Sequence, residues 1–171
     1  RQSGAVYEFG ISGSTSLQFD ASAYSKTVTV TGNDSCTVTS TESWCVVSPT
    51  YGQGSSSVSV SVKLNTSTSD RYAKLYFHGK NTNKDVTVSV TQYGADATLS
   101  ATMNKTTFAS SANDEATLTV TSNESWTVSI SGGDWLSFSK NSGSGNQSVT
   151  VRTTKANSTG SQRSAVVVIQ S

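Results

Sequence analysis

The chain has 171 residues with 12 basic and 11 acidic side chains, a formal net charge of +1 and no run of either sign, which leaves no electrostatic footprint for nucleic acid or an anionic membrane. Only 33% of its residues are hydrophobic and 13% charged, with Ser and Thr filling the difference; a single Pro and an ordered apolar pattern set it apart from disordered chains. No apolar stretch approaches the roughly 20 residues of a spanning helix, so no direct membrane insertion is expected.

In chain order, residues 1–10 read as an N-terminal strand or linker, since Val6-Tyr7-Glu8-Phe9-Gly10 resembles the later Val90-Thr91-Gln92-Tyr93-Gly94. Lys26-Thr27-Val28-Thr29-Val30-Thr31 then sets Val28 and Val30 on one face and threonines on the other. The same alternation returns in Ser57 to Leu64, Asp85 to Thr91, Ala116 to Thr121 and Gln147 to Val151. Half-buried antiparallel strands alternate in this way because successive side chains point to opposite faces, and Val and Thr suit a pleated surface. No segment of helical length carries an apolar stripe, so the chain is predicted to be all-β.

The pattern occurs twice. Val28 to Val38, with Asn33-Asp34-Ser35-Cys36 at its centre, matches Leu118 to Val128, with Asn123-Glu124-Ser125-Trp126. After single-residue insertions, Trp44-Cys45 falls on Trp135-Leu136, Tyr51-Gly52 on Ser142-Gly143, and Arg71-Tyr72-Ala73 on Arg163-Ser164-Ala165. Two homologous modules follow, 11–94 and 95–171, meeting in a short linker near Tyr93-Gly94-Ala95-Asp96. About seven short strands per module, parted by Gly- and Ser-rich turns, predict two tandem immunoglobulin-like Greek-key β-sandwiches. The expected inward set includes Phe19, Val28, Val30, Leu75, Phe77, Val86 and Val88 in the first module. In the second it includes Phe108, Trp126, Leu136, Phe138, Val167 and Ile169.

Asn123-Glu124-Ser125-Trp126, the second tryptophan with its strand (Trp135 to Ser139), Ser142-Gly143-Ser144-Gly145, Arg163-Ser164-Ala165 and the closing Val88-Ser89-Val90-Thr91-Gln92 together resemble the BACON family (Bacteroidetes-associated carbohydrate-binding often N-terminal). The resemblance covers nearly the whole chain. It implies an immunoglobulin-like sandwich exported by gut Bacteroidetes, extracellular or at the cell surface, and attached to glycan-degrading enzymes or surface proteins. The resemblance extends to modules in structural proteins of phages of those bacteria, which implies a virion role as the alternative. Two departures stand out: Cys36 replaces the tryptophan in module one, and module two has no counterpart of Asp85 to Gln92.

Chemistry is sparse. His78, the only histidine, has no carboxylate adjacent in sequence and reads as an exposed loop residue. The serines follow strand alternation and form no nucleophile elbow. The carboxylates stand singly or at turns, and no calcium-loop spacing occurs. No catalytic residue, metal site or cofactor is therefore expected. Sugar binding would need exposed aromatic rings, and Tyr51, Tyr72 and Trp44 are the candidates, although Trp44, Trp126 and Trp135 also read as core. The leading reading is a non-catalytic extracellular module pair, a spacer or binding element of a larger surface protein. The alternatives are a carbohydrate-binding module of a glycan-degradation system and a phage virion or fibre element.

Three further expectations follow. Cys36 and Cys45, standing in for Trp126 and Leu136 on presumed neighbouring strands, are expected to form a disulfide in an oxidising compartment. Trp126 is expected to be buried. Both ends are expected to be cut from a longer β array, leaving a strand position in module two. That position would be filled by residues beyond Ser171, by another chain, or by the N-terminal segment of a neighbouring copy, so that partners meet through β-strand edges.

Overall fold

The structure, a computed structural model, describes residues 3–171. It is all-β, with sixteen strands and no helix among the described residues. By its internal contacts it divides into two compact units, Arg1–Ala95 and Asp96–Ser171.

Unit one contains β1 (Phe9–Ser12), β2 (Ser16–Phe19), β3 (Ser25–Gly32), β4 (Ser35–Ser40), β5 (Cys45–Ser48), β6 (Tyr51–Gln53), β7 (Ser56–Val62), β8 (Arg71–Gly79) and β9 (Lys84–Gln92). They form two sheets, β1-β3-β7-β5 and β2-β9-β8-β4-β6. The alternation seen in sequence decides the inner faces. Val28 and Val30 of β3, Val58 and Val60 of β7, Leu75 and Phe77 of β8 and Val88 of β9 meet in one buried cluster between the sheets. The β1-β3-β7-β5 and β9-β8-β4 orders are those in which immunoglobulin-type sandwiches lay down A-B-E-D and G-F-C, with β6 inserted between β5 and β7. The outer strand β2 runs parallel to β9, with Ser16 opposite Ser89.

Unit two contains β10 (Leu99–Met103), β11 (Glu115–Ser122), β12 (Ser125–Ser131), β13 (Leu136–Phe138), β14 (Ser142–Ser144), β15 (Gln147–Thr153) and β16 (Val166–Gln170). Its four-stranded sheet, β10-β11-β15-β13, repeats that of unit one, but the other sheet has only β14-β12-β16. Trp126 on β12 fills the centre of this core. It is fully buried, and its Nε1 donates to the Gly145 carbonyl at 2.9 Å. Gly143 on the paired strand must be glycine, because a Cβ there would lie 2.4 Å from the indole ring.

The N-terminal segment differs from the sequence expectation. Val6 to Gly10 resembles the closing strand of a module, yet Phe9 is buried in unit one and β1 pairs with β3 of the same unit, Phe9 opposite Gly32. The physical reason is Asn33: its side chain accepts from Glu8 N and donates to Val6 O. Asn123 does the same in unit two, with Thr98 N and Asp96 O, just ahead of β10. The segment before β1 is thus the counterpart of the segment before β10, an opening strand rather than a closing one. Residues 1 and 2 of the expected 1–10 element lie outside the described residues.

Candidate functional site

The outward phase of β8 gathers the candidate site. Ala73, Leu75 and Phe77 face the core, so Tyr72, Lys74, Tyr76 and His78 project from the outer face of the five-stranded sheet. Register then fixes their neighbours: Tyr76 lies between Thr39 of β4 and Thr87 of β9, and Tyr72 lies beside Thr91. Tyr51 on β6 is opposite Thr37, which in turn is opposite His78. Three tyrosines, 56%, 66% and 44% exposed for Tyr51, Tyr72 and Tyr76, therefore share one face amid hydroxyl-bearing side chains. A shallow hollow of about 340 Å³ lies beside Tyr72, lined by Thr41, Lys74, Ser89 and Thr91.

Tyr51 and Tyr72 share this face without touching. Six residues of strand separate Tyr72 from the level of Tyr51, or about 20 Å. Tyr76 lies between those levels. Taken singly in the sequence it carries no signal; its even spacing from Tyr72 along an alternating strand is what marks it.

Trp44 belongs elsewhere. It is half-buried against the core, and the Arg71 guanidinium stacks 4.4 Å above its ring. Arg71 lies on the inward phase of β8, so the pair sits at the end of the sandwich interior rather than on the tyrosine face.

His78 is a strand residue rather than a loop residue, and it has a carboxylate partner. The β8–β9 hairpin brings Asp85 opposite it, with Nδ1 and Oδ1 2.7 Å apart. Sequence distance concealed a cross-strand neighbour.

The expected disulfide is not formed; Cys36 and Cys45 are free, buried thiols. Cys36 lies at the start of β4 beside Gly52 and Gly79. Cys45 lies on β5 in the opposite sheet and contacts the Ser40 hydroxyl, at the far end of β4. Four residues of strand span about 13 Å, whereas bridged cysteines keep their Cα atoms within about 7 Å. Burial pushes both thiols up from their ordinary range, which keeps them protonated and inert.

A buried carboxylate secures the hairpin carrying the face. Asp34 accepts from the backbone N–H groups of Asn81 and Thr82 and from their side chains, at 2.8–3.1 Å. Its burial alone would raise its pKa; these hydrogen bonds, led by that from Thr82 N–H, outweigh it and hold the carboxyl well below the usual range. Among the described residues, no three His, Cys, Asp or Glu side chains converge as metal ligands would. No helix among them is long and apolar enough to cross a membrane.

Unit two lacks the aromatic face: Ser142, Ser164 and Val168 stand where unit one has Tyr51, Tyr72 and Tyr76.

The family model for BACON, described as "Putative binding domain, N-terminal", matches residues 34–93 and 124–171. No curated protein matches the chain. Among solved structures the chain is similar to a Bacteroides ovatus GH5 xyloglucanase in complex with a XXXG heptasaccharide. Identity is 26% and the TM-score 0.47, over 53% of this chain and 19% of the xyloglucanase chain.

Proposed function

The chain belongs to the BACON family, and from that premise we propose that it is a non-catalytic pair of extracellular modules in which unit one binds a polysaccharide. The observation that carries this reading is the placement of Tyr51, Tyr72 and Tyr76 on one open sheet face. An aromatic ring offers an apolar surface with a polar tip, which suits the C–H face of a sugar ring. The surrounding Thr, Ser and Lys side chains supply donors and acceptors for its hydroxyls. Tyr72 and Tyr76 are four residues apart along β8, or about 13 Å, further than one sugar ring reaches. The face therefore suits an extended chain better than a monosaccharide. Glycosidic hydrolysis needs two carboxyl groups across a cleft. This face is open, and its Asp85 is engaged by His78.

Affinity electrophoresis against soluble β-glucans, mannans and xylans, followed by calorimetry with oligosaccharides, tests the reading. Retardation by one polysaccharide class is expected. The Tyr72→Ala and Tyr76→Ala double variant should weaken it at least tenfold, or about 1.4 kcal/mol. If no polysaccharide retards the protein, or the double variant is retarded like the wild type, the face is not a glycan site and the modules serve as a spacer.

A further inference from the structure

The outer face of the five-stranded sheet carries a charge that its own residues leave unmatched. Besides the tyrosines, the outward positions of β2, β9, β8, β4 and β6 hold Lys74, His78 and Asp85 as their titratable side chains. Asp85 is engaged by His78, with Nδ1 and Oδ1 2.7 Å apart. Asp70, just ahead of β8, accepts from Gly94 N at 2.9 Å. Among the described residues no carboxylate forms an ion pair with the Lys74 ammonium, not even Glu42 beside the neighbouring Thr41.

Lys74 is nevertheless firmly placed. Its N–H donates to Thr41 Oγ1 and its carbonyl accepts from Thr41 N, both at 3.0 Å, while Ser89 lies opposite on β9. Strand alternation sets it one outward position from Tyr72 and one from Tyr76, about 7 Å from each. It also lines the hollow of about 340 Å³ beside Tyr72. In unit two the same three places hold Ser164, Val166 and Val168, so the ammonium and the two rings are replaced together.

We infer that the tyrosine face selects a polysaccharide whose largely neutral chain carries scattered uronate groups, with Lys74 as the residue that selects it. This rests on the glycan reading of the face and names its substrate class. Tyr72 and Tyr76 are too far apart for one sugar ring to touch both, so rings stacked on them leave room between for another. A ring held with its C–H face towards the sheet carries its carboxyl group at the ring edge. A uronate in that middle place therefore directs its carboxylate along the sheet surface towards Lys74. Thr41, Ser89 and Thr91 already offer hydroxyls to neutral sugars, whereas an ammonium has donors and no acceptor and bonds most strongly to an anion. The solitary cation also sets how acidic the chain is. A glycan charged at every ring, or a sulfated one, would bring several anions onto a face where Lys74 alone is uncommitted. Each surplus anion would lose hydration without gaining a partner.

Calorimetry with the intact chain compares a xylan bearing glucuronate side groups with the same xylan after its carboxyl groups are reduced to alcohols. The acidic form should bind about fivefold tighter at low ionic strength, the upper end for an exposed ion pair, and the preference should shrink as salt screens it. Lys74→Gln should bring the ratio of the two affinities to about one, and Lys74→Arg, which keeps the charge, should restore it. Equal binding of the two forms by the wild type overturns the inference and leaves the glycan reading standing. Absence of binding to both also overturns it, and the neutral β-glucans and mannans then decide the glycan reading separately. A preference that survives in Lys74→Gln, or tighter binding of a polysulfated dextran by the wild type, overturns it too, since the attraction would then be one for polyanions in general.

Discussion

Units one and two are built on one repeated pattern, yet their equivalent residues have different surroundings. Leu75 and Val167 occupy the same place on β8 and β16; the first is fully buried and the second half-buried. The difference lies in the partner strand, because β9 covers β8 and nothing described covers β16. The same holds for β2: it is a strand because it pairs with β9, and its counterpart around Thr106 and Thr107 is not a strand. Alternation tells which way a side chain points, while its neighbours decide how far it is buried.

The sharpest way to break the comparison is at its centre. Trp126 fills unit two as Cys36 fills the equivalent place in unit one, so Trp126→Ala leaves a large cavity in the smaller core. A loss of about 3–5 kcal/mol is expected, enough to unfold unit two while unit one stays folded. Calorimetry should show one transition lost and the other unchanged. A normal two-unit melt would mean that the indole contributes little to the packing.

Trp126 also shows what the sequence makes legible. Its register with Val128 and Ile130 placed it inside, and the alternation of β3, β7, β11 and β15 placed their valines likewise. The same rule puts Phe138, Val167 and Ile169 inward, and they do pack on the core, but only half-buried. For Val167 and Ile169 that exposure depends on a strand partner, which periodicity does not contain. The cysteine pairing failed for a related reason. The residue equivalences were sound, but β5 crosses to the opposite sheet, so consecutive strands were not neighbours. Of the candidate site, Tyr51 and Tyr72 were legible as exposed tyrosines. Tyr76 and the His78–Asp85 pair needed the hairpin register, a long-range property.

A second prediction makes unit one resemble unit two. Gln92→Ala removes four hydrogen bonds from a buried position and leaves Arg71 Nε and three carbonyls without that partner. Unsatisfied buried groups cost about 1–3 kcal/mol, so unit one should lose about 2–3 kcal/mol. Hydrogen exchange should rise first along β9 and β2. Equal loss of protection across both sheets would show that Gln92 does not act as the lock on β9.

The third concerns acid. Asp34 ties β4 to the β8–β9 hairpin, and its carboxyl is held below its ordinary value of 3.8. A depressed carboxylate contributes stability that is present above that value and is lost as pH falls through the lower, folded one. Asp34→Asn should therefore lower the Tm of unit one at pH 7. The gap from the wild type should narrow steadily as the pH is brought from about 4 towards 2. A gap constant with pH would assign the effect to lost shape rather than lost charge.

The smallest expected effect on stability separates face from fold. Tyr72→Ser with Tyr76→Val copies into unit one the residues that unit two has at those places. Both tyrosines are on the outer face, flanked by Thr39, Thr87 and Thr91 rather than by core. Cross-strand aromatic pairs of this kind contribute about 0.2–1 kcal/mol, so the Tm of unit one should move by only a few degrees. Glycan retardation, by contrast, should disappear. The two readouts part company because the inward phase of β8, with Leu75 and Phe77, carries the stability, whereas the outward phase is free to carry recognition. If the exchange unfolds unit one, the tyrosines are structural and the division of β8 into a packing face and a binding face is wrong.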